Sequence, residues 1–114
     1  MILKLTRKLV GADITVLVLE GRLTLGQGSL QLEDLIRGLA EEGIRKVVLD
    51  LGGLTYMDSA GMGAIAKSAV TLVQVGGTLR LAGAGERVAS ALSITQLDRI
   101  VSLFPDLDSA LRAF

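Results

Sequence analysis

The sequence predicts a single α/β domain over residues 1–114, with a mixed β-sheet, an N-terminal hairpin and about four helices packed mainly on one side. Its 114 residues, half of them hydrophobic, are enough to bury one core. Short apolar runs alternate with amphipathic segments of helical length, which is the α/β pattern. The first two apolar runs are joined by a short turn, whereas the helical connections predict right-handed parallel crossovers.

The N-terminal region predicts an antiparallel hairpin. ILKLTRKLV, residues 2–10, alternates in part between apolar and polar side chains, as a half-buried strand does. The turn residues Gly11, Ala12 and Asp13 follow, and ITVLVLEGRL, residues 14–23, predicts a more buried second strand. Strands joined by so short a turn pair antiparallel.

The next two elements are a helix and a central strand. Residues 26–43 predict a helix that ends at Gly43. Its apolar residues at helical spacing are Leu32, Leu35, Ile36, Leu39 and Ala40. KVVLDL, residues 46–51, is short and almost wholly apolar, which is typical of a strand covered on both faces. Gly52 and Gly53 are expected to break this strand.

A second helix is predicted from Ser59 to the glycine pair at residues 76–77. Its inward stripe is expected to be Met62, Ile65, Ala66, Ala69, Val70 and Val73, with Lys67, Ser68, Thr71 and Gln74 facing away. TLRLAG, residues 78–83, predicts another buried strand. A third helix over residues 86–97, a short strand over residues 100–104 and a closing helix over residues 106–114 complete the pattern.

The composition excludes several classes of function. Without His or Cys the chain cannot form thiolate or imidazole zinc sites, Ser-His or Cys-His catalytic pairs, or disulfides. Basic and acidic residues balance at twelve each and aromatics are scarce, so no nucleic-acid surface is expected. Charges at Lys4, Arg7 and Lys8 interrupt the N-terminal apolar residues, and no uncharged run is long enough for a membrane span. We expect a cytoplasmic protein.

The stretch DSAGMGAI, residues 58–65, contains the strongest candidate site. Asp58 or Ser59 can cap the helix, because both side-chain types accept hydrogen bonds from the free N–H groups of a first turn. Small residues follow, and Gly61 and Gly63 each weaken a helix by about 1 kcal/mol relative to alanine. A helix start with so few side chains lets another surface approach the Ser59 hydroxyl, at the sheet edge where α/β folds place functional loops.

A phosphate on Ser59 would experience two opposing effects. The helix dipole and the free N–H groups favour an anion, whereas Asp58 repels it. Phosphorylation is therefore compatible with the fold, and it would change the surface by about two negative charges. Such a change suits a contact that is switched on and off.

Other candidate sites carry weaker signals. Asp50 and Asp58 could form an acidic Mg²⁺ pocket, but the first strand offers no paired acidic cluster, so Asp50 is predicted to accept a loop or cap hydrogen bond. GAGERV, residues 83–88, has Val88 where a dinucleotide fingerprint needs its third glycine, and GQGS, residues 26–29, lacks the lysine of a phosphate loop. No metal or cofactor is expected.

VVLDLGGLTYMDSAGMGAI, residues 47–65, followed by GGTLRLAG, residues 76–83, closely resembles the STAS domain family. The apolar pattern through Leu92, Ile94, Leu97 and Ile100 extends this resemblance over essentially the whole chain. The pattern is most similar to that of the bacterial anti-sigma-factor antagonists. The family fold, a mixed sheet with an N-terminal hairpin and helices on one side, agrees with the fold predicted from the residues.

The resemblance implies a phosphorylation-switched binding module and not an enzyme. In the antagonists, the serine of an Asp-Ser-x-Gly motif is phosphorylated by a serine kinase that is also the anti-sigma factor. The unmodified antagonist binds this kinase and frees a sigma factor, which regulates transcription, and a PP2C-type phosphatase resets the cycle. Carried over by position, Ser59 is the phosphoacceptor. The residues implied to bind the partner are Asp58, Ala60, Gly61, Met62, Arg22 and Thr24.

The chain departs from the family pattern at the end of the second strand. Where the family has Gly-acidic-apolar-Asp, this chain has Gly21, Arg22, Leu23 and Thr24, so both acidic positions are lost. Arg22 inverts the local charge. A phosphate on Ser59 could then be paired instead of repelled, and the partner's complementary charges would differ.

Two other functions remain open. The same fold could be a non-switching scaffold or an accessory subunit of a stress-signalling or lipid-transport complex, which the departure at Arg22 and Thr24 favours. Ser59 could instead be an enzymic nucleophile, but without histidine only Lys67 or a carboxylate could be its base, and Lys67 is predicted to face away. The sequence leaves the oligomeric state open.

Overall fold

The computed structural model describes residues 2–114, which form a five-stranded sheet with helices on both faces. The strands are β1 (Lys4–Val10), β2 (Ile14–Leu23), β3 (Lys46–Met57), β4 (Thr78–Ala82) and β5 (Ser102–Phe104). The helices are α1 (Gln27–Glu41), α2 (Ser59–Gln74), α3 (Glu86–Ile94) and α4 (Leu107–Arg112), with a 3-10 turn at Leu97–Arg99. The predicted class and element order are confirmed.

The strands lie in the order β1-β2-β3-β4-β5. β1 and β2 form the predicted antiparallel hairpin around a turn in which Gly11 has a φ of +64°. The remaining pairs are parallel, so α1, α2 and α3 are crossover connections. Because parallel strands end at the same edge, the loops after β2, β3 and β4 share one edge of the sheet.

Side-chain alternation along the strands divides the core into two clusters. The larger cluster joins one face of the sheet to α1, α2 and α3, and its strand residues include Leu17, Leu49 and Leu81. The smaller cluster joins the opposite face to α4, through Ala110. The prediction that helices pack mainly on one side is confirmed, with α4 as the exception.

β3 continues to Met57, so the prediction that Gly52 and Gly53 break it is wrong. Its pairing with β2 shifts twice, because Val18 pairs with Asp50 whereas Glu20 pairs with Gly53, and a second shift follows Gly21. Each shift inserts an extra β3 residue, as a bulge does. A Cβ at Gly53 would lie 2.8 Å from Glu20 Cγ, so the glycine leaves room for this side chain and the strand is bent, not ended.

The predicted inward stripe of α2 is confirmed at Ile65 and Ala69 but is wrong at other positions, since Ser68, predicted to face away, is buried. The buried residues are Gly61, Ala64, Ile65, Ser68, Ala69 and Leu72. Val70 and Val73, predicted to point inward, are 50% and 67% exposed. The small residues allow α2 to approach its neighbours closely, and Ser68 satisfies its hydroxyl by donating to the Ala64 carbonyl oxygen at 2.7 Å. The face of α2 that is buried is therefore determined by the close packing of its small side chains, and not by the greater hydrophobicity of Val70 and Val73.

Candidate functional site

Ser59 is the first residue of α2 and lies at the carboxyl edge of the sheet, directly after β3. Its side chain is exposed. The residue that caps the helix is Asp58, whose extended backbone turns the chain from the strand into the helix. The hydroxyl of Ser59 is therefore presented at the surface, where a partner can reach it.

Asp58 connects the end of β2 to the start of α2. Its Oδ2 atom accepts a hydrogen bond from the Leu25 N–H at 3.0 Å, and its Oδ1 atom accepts one from the Gly61 N–H at 2.8 Å. Its own N–H donates to the Leu23 carbonyl oxygen at 3.2 Å. The hydrogen bond from the Leu25 N–H, which has the largest effect, and the one from the Gly61 N–H stabilise the carboxylate. They lower the pKa of Asp58 below its ordinary value.

Replacing Asp58 with alanine is expected to lower the free energy of unfolding by about 1–2 kcal/mol near neutral pH, because two N–H groups lose their acceptor. The pKa of Asp58 is lower in the folded chain than in the unfolded chain. Its stabilising effect is therefore fully present above the ordinary aspartate pKa and is lost as the pH falls through the folded-state value.

Urea unfolding of both proteins, at neutral pH and in acid, checks this prediction. The gap between wild type and Asp58→Ala should narrow in acid. Asp34→Ala is the control, because Asp34 forms an exposed i,i+3 ion pair with Arg37 at 3.0 Å and should contribute under about 0.5 kcal/mol. A gap independent of pH would show that the charge of Asp58 does not stabilise the fold.

Gly61, implied above to bind a partner, lies in the interior. A Cβ at this position would overlap the carbonyl oxygen of Leu23 and lie 3.0 Å from Leu23 Cγ. The glycine lets α2 begin directly against the backbone of β2. Its role in the site is thus to position Ser59, two residues earlier, and it offers no side chain to a partner.

Two of the other implied contact residues, Arg22 and Thr24, line one cavity together with Leu25. Ala60 and Met62 are half-buried in the first turn of α2, and Met62 packs against the core. Thr24 is half-buried between β2 and α1, where its carbonyl oxygen accepts from the Ser29 N–H at 3.2 Å. Ala60, Met62 and Thr24 lie on the side of the sheet that carries α1 and α2 or at its edge.

The side chain of Arg22, at the end of β2, points away from the core that α2 covers. Arg22 precedes Leu23, which packs into the core beneath α2, and neighbouring strand residues point to opposite faces. The guanidinium carbon of Arg22 lies 4.5 Å from the centre of the Tyr56 ring, its partner in register on β3. The structure therefore turns Arg22 away from α2 instead of placing it beside Ser59.

An exposed apolar groove beside Ser59 was not predicted. It runs between the first halves of α1 and α2 and has a volume of about 470 Å³. Leu25 and Leu30 line it and are 79% and 59% exposed, and the Glu33–Lys67 ion pair, at 3.2 Å, also borders it. The one feature of the sequence that could have indicated this groove is Leu30, an apolar residue of α1 that does not fall in the helical spacing of its buried residues.

The structure also places the weaker candidates. Asp50 Oδ1 accepts from the Gly52 N–H at 3.0 Å, which is the loop hydrogen bond predicted for it. Lys67 is eight residues from Ser59 along α2, or about 12 Å along the axis, and it pairs with Glu33.

Residues 2–114 contain no group of three or more acidic side chains arranged to hold a metal ion. Within the same residues, no helix combines the length and apolar character that crossing a membrane requires.

Fold and site together define a small α/β module with an exposed serine at a helix start, and solved structures share this fold. TM1081, a candidate anti-sigma factor antagonist from Thermotoga maritima, matches with a TM-score of 0.87 and 24% identity over 96% of this chain and 92% of that chain. The anti-sigma factor antagonist SpoIIAA, unphosphorylated, gives 0.74 at 18% identity over 96% of each chain. Phosphorylated Bacillus SpoIIAA gives 0.75 at 18% identity, over 97% of this chain and 100% of that chain.

Sequence comparison is more specific. The STAS domain family model matches residues 7–110. A Thermotoga neapolitana homologue of TM1081, also a candidate anti-sigma factor antagonist, is 30% identical over 99 residues, which are 87% of this chain and 88% of that protein. The chain belongs to the STAS domain family, as the resemblance implied, and these relatives in it are candidate anti-sigma factor antagonists.

Proposed function

We propose that this chain is an anti-sigma-factor antagonist whose binding is controlled by phosphorylation of Ser59. In its unmodified form it binds a serine-kinase anti-sigma factor, which releases a sigma factor and so regulates transcription. The kinase phosphorylates Ser59, and a PP2C-type phosphatase restores the hydroxyl. The observation that carries this proposal is the exposed Ser59 at the start of α2, beside an exposed apolar groove.

The surroundings of Ser59 suit the approach of a kinase active site. Ala60 and Gly63 add almost no side-chain bulk around the hydroxyl, and a Cβ at Gly63 would meet no atom within 4 Å. The hydrogen bonds of Asp58 to Leu25 and Gly61 hold the backbone before and after Ser59. A rigid, uncrowded hydroxyl costs little ordering entropy when it is bound in an active site.

The same geometry explains how a phosphate would end the contact. The carboxylate of Asp58 already accepts from the first-turn N–H of Gly61, so a phosphate on Ser59 would stand beside an existing anion. The groove with Leu25 and Leu30 lies next to it. A partner that covers this groove would have to desolvate the phosphate, which opposes binding.

In this reaction the chain supplies the acceptor oxygen. The Ser59 oxygen bonds to the γ-phosphorus of ATP, ADP leaves, and a base of the kinase takes the hydroxyl proton. Lys67 is about 12 Å away along the helix and engaged with Glu33, so it is not placed to act as that base. The proposal therefore treats the chain as a binding module and substrate.

Incubation with a serine-kinase anti-sigma factor from the same genome and ATP tests the proposal. We expect a mass gain of one phosphoryl group, located at Ser59 by fragmentation. Ser59→Ala should gain no mass, whereas Ser93→Ala, which removes an exposed serine of α3, should be phosphorylated like wild type. Labelling at another residue, or none on the folded protein, would contradict the proposal.

A further inference from the structure

Two arginines from different elements line an open cleft at the carboxyl ends of β2 and β3. Arg22 comes from β2 and Arg87 from the first turn of α3, and Thr55 and Tyr56 of β3 complete the lining. The cleft has a volume of about 430 Å³, which is enough for a phosphate with a small organic group. Ser59 does not line it.

Neither arginine is neutralised by a carboxylate. The ion pairs within residues 2–114 engage Arg7, Arg37, Lys46 and Lys67, but not Arg22 or Arg87. The cleft therefore contains two cationic groups whose charge no ion pair offsets.

The acidic residues nearest in sequence do not line the cleft. The Cγ atom of Glu20 lies against Gly53, and Glu20 does not line the cleft. Glu86 is next to Arg87 on α3, and neighbouring helix residues project about 100° apart. The cleft lining is cationic and polar, without an acidic side chain.

The surroundings partly preorganise the cleft. The guanidinium carbon of Arg22 lies over the Tyr56 ring, 4.5 Å from its centre. Arginine can pack on an aromatic ring while its N–H donors remain available to an anion. The Thr55 hydroxyl donates to the Gly21 carbonyl oxygen at 2.9 Å, which ties β3 to β2 beneath the cleft. Planar guanidinium groups bind the oxygens of phosphate in pairs, and two of them match a doubly charged anion.

We propose that this cleft binds a phosphate group, as inorganic phosphate or as the monoester of a small molecule, between Arg22 and Arg87. The phosphate oxygens accept hydrogen bonds from both guanidinium groups, and Tyr56 holds Arg22 in place. This site is separate from Ser59, so the proposal does not depend on the proposed function.

Titration of the ¹⁵N-labelled protein with inorganic phosphate, and separately with glycerol phosphate, at constant ionic strength tests this. Backbone amide shifts should saturate and concentrate at residues 22, 55, 56 and 87. Arg22→Ala and Arg87→Ala should each weaken binding about fivefold or more, and Arg22→Lys should weaken it because the planar fork is lost. Arg37→Ala, which removes an exposed arginine of α1, should bind like wild type.

The two ligands distinguish the sources of the phosphate. Tighter binding of glycerol phosphate indicates a small organic ligand, tighter binding of inorganic phosphate indicates the free anion, and either supports the cleft. Unperturbed spectra of the free variants show that they are folded. The proposal is overturned if the amide shifts do not saturate, or if they occur equally near every basic residue of the protein. It is also overturned if the folded variants Arg22→Ala and Arg87→Ala bind phosphate like wild type.

Discussion

Replacing Gly61 with alanine is expected to lower the free energy of unfolding by about 3 kcal/mol or more. The new Cβ would overlap the Leu23 carbonyl oxygen, which is backbone and cannot turn aside as a flexible side chain would. The same oxygen accepts from the Asp58 N–H, so pushing α2 away from β2 also strains the turn that presents Ser59. A loss of this size is a large share of the stability of a small domain.

Gly63→Ala is the matched control for this prediction. It makes the same chemical change two residues along the same helix, where a Cβ would meet no atom within 4 Å. Alanine there should stabilise the protein by up to about 1 kcal/mol, because glycine is the poorer helix former. Chemical denaturation of wild type and the two variants measures whether the free energy of unfolding falls for Gly61→Ala and rises for Gly63→Ala. Equal effects of the two substitutions would contradict the close packing of α2 on β2.

Replacing Leu25 with asparagine is expected to weaken binding to the serine-kinase anti-sigma factor by about thirtyfold, or about 2 kcal/mol. This prediction rests on the proposed function. Leu25 is 79% exposed and lines the groove beside Ser59, so a partner that covers Ser59 also covers this side chain. Its N–H, which donates to Asp58, is retained in the variant, so the fold should change little.

Ile94→Asn separates binding from stability. Ile94 is as exposed as Leu25, at 78%, but it lies at the end of α3 and does not line the groove. Calorimetric titration of the kinase with wild type and the two variants should show a loss of affinity for Leu25→Asn alone. If both variants bind like wild type, the groove is not part of the contact surface.

Much of the fold could be predicted because local signals and tertiary packing agree. The second strand was predicted as residues 14–23 and is observed as Ile14–Leu23. The stops at Gly43 and Gly76 coincide with positive φ angles, which glycine adopts without strain. In these segments the apolar pattern, the turn residues and the final contacts favour the same structure.

Two of the errors in the fold, those in β3 and α2, share a cause. The glycines of β3 lie in a bulge opposite β2. The small residues Gly61, Ala64 and Ser68 allow α2 to pack closely against neighbouring elements. By local propensity alone, a glycine or another small residue weakens a strand or a helix. Where another element of the fold packs closely against it, the same residue is required because a larger side chain would not fit. That neighbouring element is defined only by the tertiary structure.

The site was predicted in part. Ser59 and Asp58 could be located because a capping residue and a run of small residues follow an apolar strand. The pairing of Arg22 with Tyr56 depends on the double bulge between β2 and β3, which sets the register of the two strands at their ends. The groove lined by Leu25 and Leu30 requires the packing of two helices that are distant in sequence.

The affinity of the serine-kinase anti-sigma factor for unmodified protein, Ser59→Ala and Ser59→Asp, measured side by side, tests the central claim most directly. We expect wild type and Ser59→Ala to bind alike, and Ser59→Asp to bind at least about a hundredfold more weakly, since it adds a charge beside Asp58 and the groove. A stable complex equally tight for all three would contradict a switch at this serine and would indicate a non-switching scaffold.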